Sequence, residues 1–422
     1  MIKTPMIDHR LLRRRLAAAL FAPLLLTPLF GQSRDELSFV ASLTDAAEYQ
    51  TMLSSYLKQR AFEALDERGR RIDDARPRPL PERDSVPEQP VVITPKEDLV
   101  ATETGQVMTS LGGETVFTLN RKRLEQLAAH APAAPGDVRK MLRFEPRTGA
   151  LEARSFGRLT APGYRIEKLI YASEPGISVP ALVFVPEGGA ARKPAAVCVD
   201  GAGKGAARAE IESLVKAGLI VLSLDVRGFG ETAARTDNKG SDWPRYFGDF
   251  DRVMTALLLG KPLVAMRAED VVRGVDLLAA RTDVAPQAIS AVGRGAGALP
   301  VLYAAAFDPR IKKVALDRML ATYESVVRRR LHRQVFEGIV QGALRRYDIA
   351  DVVGWLAPRP VWVADALDPM GWPVPPAETR KAYARAADAF GRAGAPGKLH
   401  LVRRKPGETA ASLYAEMLLG AR

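Results

Sequence analysis

From about residue 164 onward the chain alternates short apolar runs with longer amphipathic stretches, and turn residues separate nearly every pair. Few other features restrict a fold so strongly. Strand-length apolar runs joined by helix-length crossovers predict a mostly parallel sheet with helices on both faces. The expected order begins with strands at 165–172 and 179–185, closed by Glu174-Pro175-Gly176 as an antiparallel pair. Strands then follow at 194–199, 219–224, 288–292, 311–316, 360–364 and 398–402, with helices at 207–217, 250–259, 268–280, from 298, at 376–390 and at 409–419. A helical insertion is expected between about 317 and 353, where it would cover the ends of the strands as a lid. No internal repeat interrupts this pattern.

The first hundred residues read differently. Residues 1–33 place Lys3, Arg10, Arg13, Arg14 and Arg15 before an apolar run from Leu16 to Leu26, followed by small or polar residues around Gly31. This is the layout of a secretory signal, and the run is too short and too broken by proline to span a membrane. Secreted or periplasmic localisation follows as the expectation. Residues 34–75 repeat apolar side chains at helical spacing, and prolines at 77, 79, 81, 87 and 90 mark 76–100 as a linker. The remainder, 101–422, is expected to be one domain. Without the signal, 56 basic residues stand against 48 acidic ones, so the formal charge of +12 falls to +8. Spread over so long a chain, and with no interleaved aromatic residues, that surplus does not indicate a nucleic-acid partner. The single cysteine, Cys198, excludes an internal disulfide and reads as a buried strand thiol. No metal-ligand spacing is present, and no cofactor is expected.

In such a sheet, sites form beyond the C-terminal ends of the strands. The loop Asp200-Gly201-Ala202-Gly203-Lys204-Gly205 permits close backbone approach, as a tight turn or as an oxyanion loop. It lacks the spacing of a Walker loop. In Asp225-Val226-Arg227-Gly228-Phe229-Gly230, the carboxylate and guanidinium are expected to hold the loop by charge-assisted bonds. The segment Gly293-Arg294-Gly295-Ala296-Gly297-Ala298 admits two readings. Gly293-x-Gly295-x-x-Ala298, with Asp317 at the end of the next strand, fits a dinucleotide fingerprint and an oxidoreductase. It also fits a nucleophile elbow in which Gly295 stands where the serine would be. A fingerprint normally opens its sheet, and several strands precede this segment, so the elbow is preferred.

Taken together, these segments resemble an α/β-hydrolase of the acetyl xylan esterase and dienelactone hydrolase kind from about residue 100 to the end. The resemblance rests on Val179-Pro-Ala-Leu-Val-Phe-Val-Pro, the Asp200 loop, Leu224-Asp-Val-Arg-Gly-Phe-Gly, Arg267-Ala-Glu-Asp, the elbow and Ala357-Pro-Arg-Pro-Val-Trp-Val-Ala-Asp. It implies an exported relative of esterases acting on carbohydrate or other carboxylic esters, with a small-molecule or carbohydrate ester as ligand. It also implies a serine on the elbow, a histidine after the last strand and a carboxylate after the strand before it.

Here the elbow holds Gly295, the last loop reads Arg403-Arg404-Lys405-Pro406, and Asp365 or Asp368 fills the acid position. Two of three roles lack an occupant, so loss of serine-triad activity is the expectation. Gly201, Gly203, Arg294, Ala296, Asp317 and Asp365 are the candidate oxyanion or pocket residues. Two histidines leave a rearranged active esterase open: His332 as a lid base with Asp368, or His400 within the strand pattern Leu399-His400-Leu401. His9 and His130 suit no such role.

Overall fold

The computed structural model describes residues 94–127, 133–233, 248, 250–405 and 407–419. The expected signal, the amphipathic segment 34–75, most of the linker, His9 and His130 lie outside the described residues.

Among the described residues nine strands form one sheet: β1 (Arg154–Ala161), β2 (Tyr164–Glu174), β3 (Ile177–Pro186), β4 (Lys193–Asp200), β5 (Ile220–Leu224), β6 (Val284–Arg294), β7 (Ile311–Asp317), β8 (Val361–Ala364) and β9 (Leu399–Val402). Their order is β1-β2-β3-β5-β4-β6-β7-β8-β9. The strands from β1 to β3 pair antiparallel, β3 meets β5 antiparallel, and every pairing from β5 through β9 is parallel.

The main helices are α1 (Val116–Leu127), α2 (Pro135–Met141), α3 (Arg208–Lys216), α4 (Phe250–Leu258), α5 (Leu263–Ala279), α6 (Ala298–Phe307), α7 (Tyr323–Arg328), α8 (Ile349–Gly354), α9 (Pro376–Ala382), α10 (Ala384–Arg392) and α11 (Ala410–Leu419). Among the described residues no helix is long and apolar enough to cross a membrane.

The sheet divides the core by the two-residue period of its strands. In β4, Ala195, Val197 and Val199 join the cluster that α5, α6 and α8 cover, while Ala196 and Cys198 join the cluster under α3 and α11. Burial on both sides explains why β4 is an uninterrupted apolar run. Each fully buried Val or Leu contributes about 1.5–3 kcal/mol. Burial also pushes the Cys198 thiol up to about 12, which leaves it unreactive, as its strand position implied.

Three local expectations differ from the structure. β1 carries no strand pattern in the sequence, because only Phe156 and Ala161 of its eight residues are buried. The stretch 376–390 is two helices rather than one, divided at the buried Tyr383. The insertion after β7 is helical only in α7, in single turns at Phe336–Gly338 and Ala343–Arg345, and in α8 at its end. Between these it runs irregularly, because Arg328, Arg329 and Arg330 crowd like charge into one turn and Gly342 takes a left-handed φ of 75°. A buried tyrosine group fixes it. The hydroxyl of Tyr303 on α6 bonds those of Tyr323 at 3.0 Å and Tyr347 at 2.8 Å, and Tyr323 donates to the Gly338 carbonyl at 2.8 Å.

Candidate active site

The turn between β6 and α6 is built by contact. A Cβ at Gly293 would lie 2.6 Å from the Cα of Ala298, and one at Gly297 would overlap the Val199 carbonyl oxygen. Both positions therefore require glycine. Gly295 differs: its φ is 56°, and a Cβ there would meet nothing within 4 Å. The backbone has the sharp strand-to-helix geometry of an elbow, with open space where a side chain would project.

The loop after β4 faces this turn, since a Cβ at Gly201 would come within 2.9 Å of the Ala296 nitrogen. Its backbone donors are already engaged. Gly201 N–H donates to the Arg294 carbonyl at 3.1 Å, Ala202 N–H to Asp200 Oδ1 at 2.8 Å, and Gly203 N–H to the Asp200 carbonyl at 3.0 Å. Gly203 packs away from the elbow, against Gly230 and Asp225.

The ends of β6 to β9 are joined by charge. Arg294 and Asp317 are register partners on β6 and β7. Asp317, with 0% exposure, accepts from Arg404 at 2.8 Å and from the Tyr414 hydroxyl of α11 at 2.7 Å, and lies 3.7 Å from the Arg294 guanidinium. Burial raises its carboxyl above the usual range, while the Tyr414 hydroxyl and the guanidinium groups of Arg404 and Arg294 pull the other way. Arg404 also binds Asp365 through its Nε, and its backbone N–H reaches the same carboxylate at 3.2 Å. Arg294 spans further to Asp200 at 3.5 Å and Glu210 at 3.4 Å. The structure thus brings together Arg294, Asp317 and Asp365 through Arg404. In the sequence, Arg404 stands only as the residue where a histidine is expected, and nothing local marks Tyr414.

His332 and Asp368 are not joined. Asp368 accepts the N–H groups of Met370 and Trp372, both at 2.9 Å, and pairs with Arg329 at 2.8 Å. The His332 ring meets Phe336 edge-on at 5.4 Å, and its Nδ1 is buried with no hydrogen-bond partner. His332 sits in the irregular part of the insertion rather than on a helix face. His400 stacks on Trp362 at 4.8 Å on the sheet, where burial lowers its pKa. It packs there and does not reach the loop after β9. The dinucleotide reading fails on Asp317, whose buried carboxylate has no free face for a ribose hydroxyl. Asp225 and Arg227 hold their loop by charge-assisted bonds, as expected, each to a partner elsewhere. Asp225 takes the buried Lys204 at 2.7 Å, and Arg227 takes Asp270 at 2.5 Å. No group of three potential metal ligands occurs among the described residues.

The chain has the α/β-hydrolase fold. It is similar to a crystal structure of a candidate acetyl xylan esterase from Bacteroides fragilis, with a TM-score of 0.53 and 17% identity, covering 70% of this chain and 78% of that one. It is similar also to the methylesterase BT1017, with a TM-score of 0.50 and 16% identity over 76% of this chain and 65% of that one. Identities this low speak for the fold alone. Among curated sequences, the candidate hydrolase YtaP of Bacillus subtilis (strain 168) is 29% identical over 163 residues, 37% of this chain. The match spans half the length of YtaP. No family model matches the chain.

Proposed function

We propose that this chain is an exported α/β-hydrolase-fold protein, related to esterases of carbohydrate or other carboxylic esters, that no longer hydrolyses by a serine triad. The observation that carries the reading is the Arg404–Asp365 pair. The loop after β9 supplies a guanidinium where a triad needs an imidazole, and this cation occupies the carboxylate at the acid position. Arginine stays protonated at any physiological pH, so it cannot accept a proton. Gly295 adds no nucleophile, and the engaged N–H groups of Gly201 and Ala202 weaken the case for an oxyanion hole from that loop. Nucleophile and base act as a unit, and losing either removes roughly 10⁴–10⁶ of the rate. Binding of a small ester or acylated sugar would outlast that loss. The basic and apolar character of residues 1–33 supports export, which N-terminal sequencing of protein recovered from the medium or periplasm would test.

A serine-directed phosphonate read by intact mass tests the nucleophile. Wild-type protein is expected to keep its mass, and stoichiometric phosphonylation would overturn the reading. One observation favours a second reading, the unpartnered His332 Nδ1, which could serve as a base toward water. Aryl-acetate turnover that is abolished in His332→Ala would establish it.

A further inference from the structure

A cleft of about 290 Å³ opens between α4, the start of α5, the end of α2 and the insertion after β7. Met141, Met254, Leu257, Phe336, Ile339 and Val340 make most of its wall. The polar side chains there are Lys261 and Gln341, and the Lys261 ammonium is held by Glu269 at 2.5 Å. Among the described residues no carboxylate lines it. The two methionines give a wall that can adapt to an unbranched apolar chain.

The rim is fixed by the way α4 ends. Gly260 takes a φ of 67°, and the N–H groups of Gly260 and Lys261 return to the carbonyls of Leu257 and Ala256 at 2.9 and 3.1 Å. A helix end closed in this way keeps Leu258 and Leu259 outside the cleft, 75% and 57% exposed. Arg143 lies across the same turn. Its Nη1 donates to the Leu259 carbonyl at 3.1 Å. A Cβ at Gly260 would stand 3.2 to 3.3 Å from its Cζ and from both Nη atoms, so the guanidinium lies flat over a residue that lines the cleft. Arg143 holds this place with a left-handed φ of 48°, which is strained for any residue but glycine. The bond to Leu259 uses one of its five N–H donors, and it makes no ion pair among the described residues.

An apolar cleft with one available cation at its edge suits a molecule with an apolar tail and a single anionic head. A docked helix does not fit, since one turn, about 10 Å across and about 5.4 Å long, displaces roughly 420 Å³. We propose that the cleft binds the alkyl chain of a medium-chain carboxylic acid, whose carboxylate takes the fork of the Arg143 guanidinium. Neither Gly295 nor Arg404, Asp317 or Asp365 lines the cleft, so its occupancy does not depend on hydrolysis at the elbow.

The test is calorimetric titration of the full chain with butanoate, hexanoate and octanoate, each below its micelle concentration, and with 1-octanol as the neutral comparator. Affinity is expected to rise about fourfold for each methylene added, the worth of burying that group. 1-Octanol should bind about tenfold more weakly than octanoate, the size of a lost hydrogen bond to a charged group. Arg143→Gly should weaken octanoate by the same factor and leave 1-octanol unchanged. Glycine suits a φ of 48°, so this variant should fold, and the wild-type series needs no variant. The proposal is overturned if octanoate does not bind, if affinity is flat with chain length, if the alcohol binds as tightly as the acid, or if Arg143→Gly binds octanoate as wild type does.

Discussion

The elbow and the corner where β7, β8 and β9 end contrast in what they hold. At the elbow the backbone turns sharply and no side chain projects. Gly293 and Gly297 are locked by overlap with their neighbours, and Gly295 opens onto empty space at a φ of 56°. At the corner the side chains are present and fully committed, with Arg404 bridging two carboxylates and Tyr414 closing on one of them. The difference teaches that an open position and an occupied one are not equivalent. A serine can be placed at the first without displacing anything. A histidine at the second would release two acids from their cation.

The largest test of that contrast is Asp317→Ala. It leaves Arg404 and Arg294 short of a buried partner, and breaking such a network costs about 3–5 kcal/mol. Urea unfolding should show it as a lower midpoint with unchanged slope, and a loss below 1 kcal/mol would mean that the corner is not a structural unit. Next comes a pair at the elbow. Gly297→Ala should cost about 3 kcal/mol by forcing the Val199 backbone to move. Gly295→Ser should cost only about 1 kcal/mol, the strain of a left-handed residue. Equal effects in thermal melts would erase the distinction between locked and open glycines. Tyr414→Phe should cost about 1.5 kcal/mol, the worth of one hydrogen bond to a charged acceptor.

The smallest effect concerns pH and contrasts buried with paired carboxylates. Burial raises the Asp348 carboxyl to about 6, against three backbone N–H groups that pull it down. The folded protein therefore holds this proton more tightly than the unfolded chain. Its contribution to stability is present near pH 4 and is lost as the pH rises toward 6. Asp283 behaves oppositely, because its hydrogen bond to Arg281 lowers its pKa, so its contribution is lost as the pH falls below the usual carboxylate value. Asp348→Asn should remove the first slope and leave the second, as read by stability curves across pH 3–7.

The sequence displayed the parallel half of the sheet well, because β4 to β9 are apolar runs bounded by glycine or proline turns. It concealed β1, whose exposed residues and register shift between Ser155 and Arg158 erase any alternation. The elbow was legible for a local reason, since crowding at Gly293 and Gly297 leaves a spacing that can be read in five residues. The corner was not. Arg404 meets Asp317 from 87 residues away and Asp365 from 39 away, and no local pattern marks such pairs. Within Arg403-Arg404-Lys405 its charge looked like a solvated surface. The available signal was chemical: a cation at the base position, facing an acid position that is still filled.

Steady-state hydrolysis of an aryl acetate by purified wild-type protein tests the central claim most directly. With Gly295 on the elbow and Arg404 bound to Asp365, the rate is expected to match the buffer blank and to stay there from pH 5 to 9. Saturable turnover well above the blank would contradict the account and place a working nucleophile or base where this arrangement has neither.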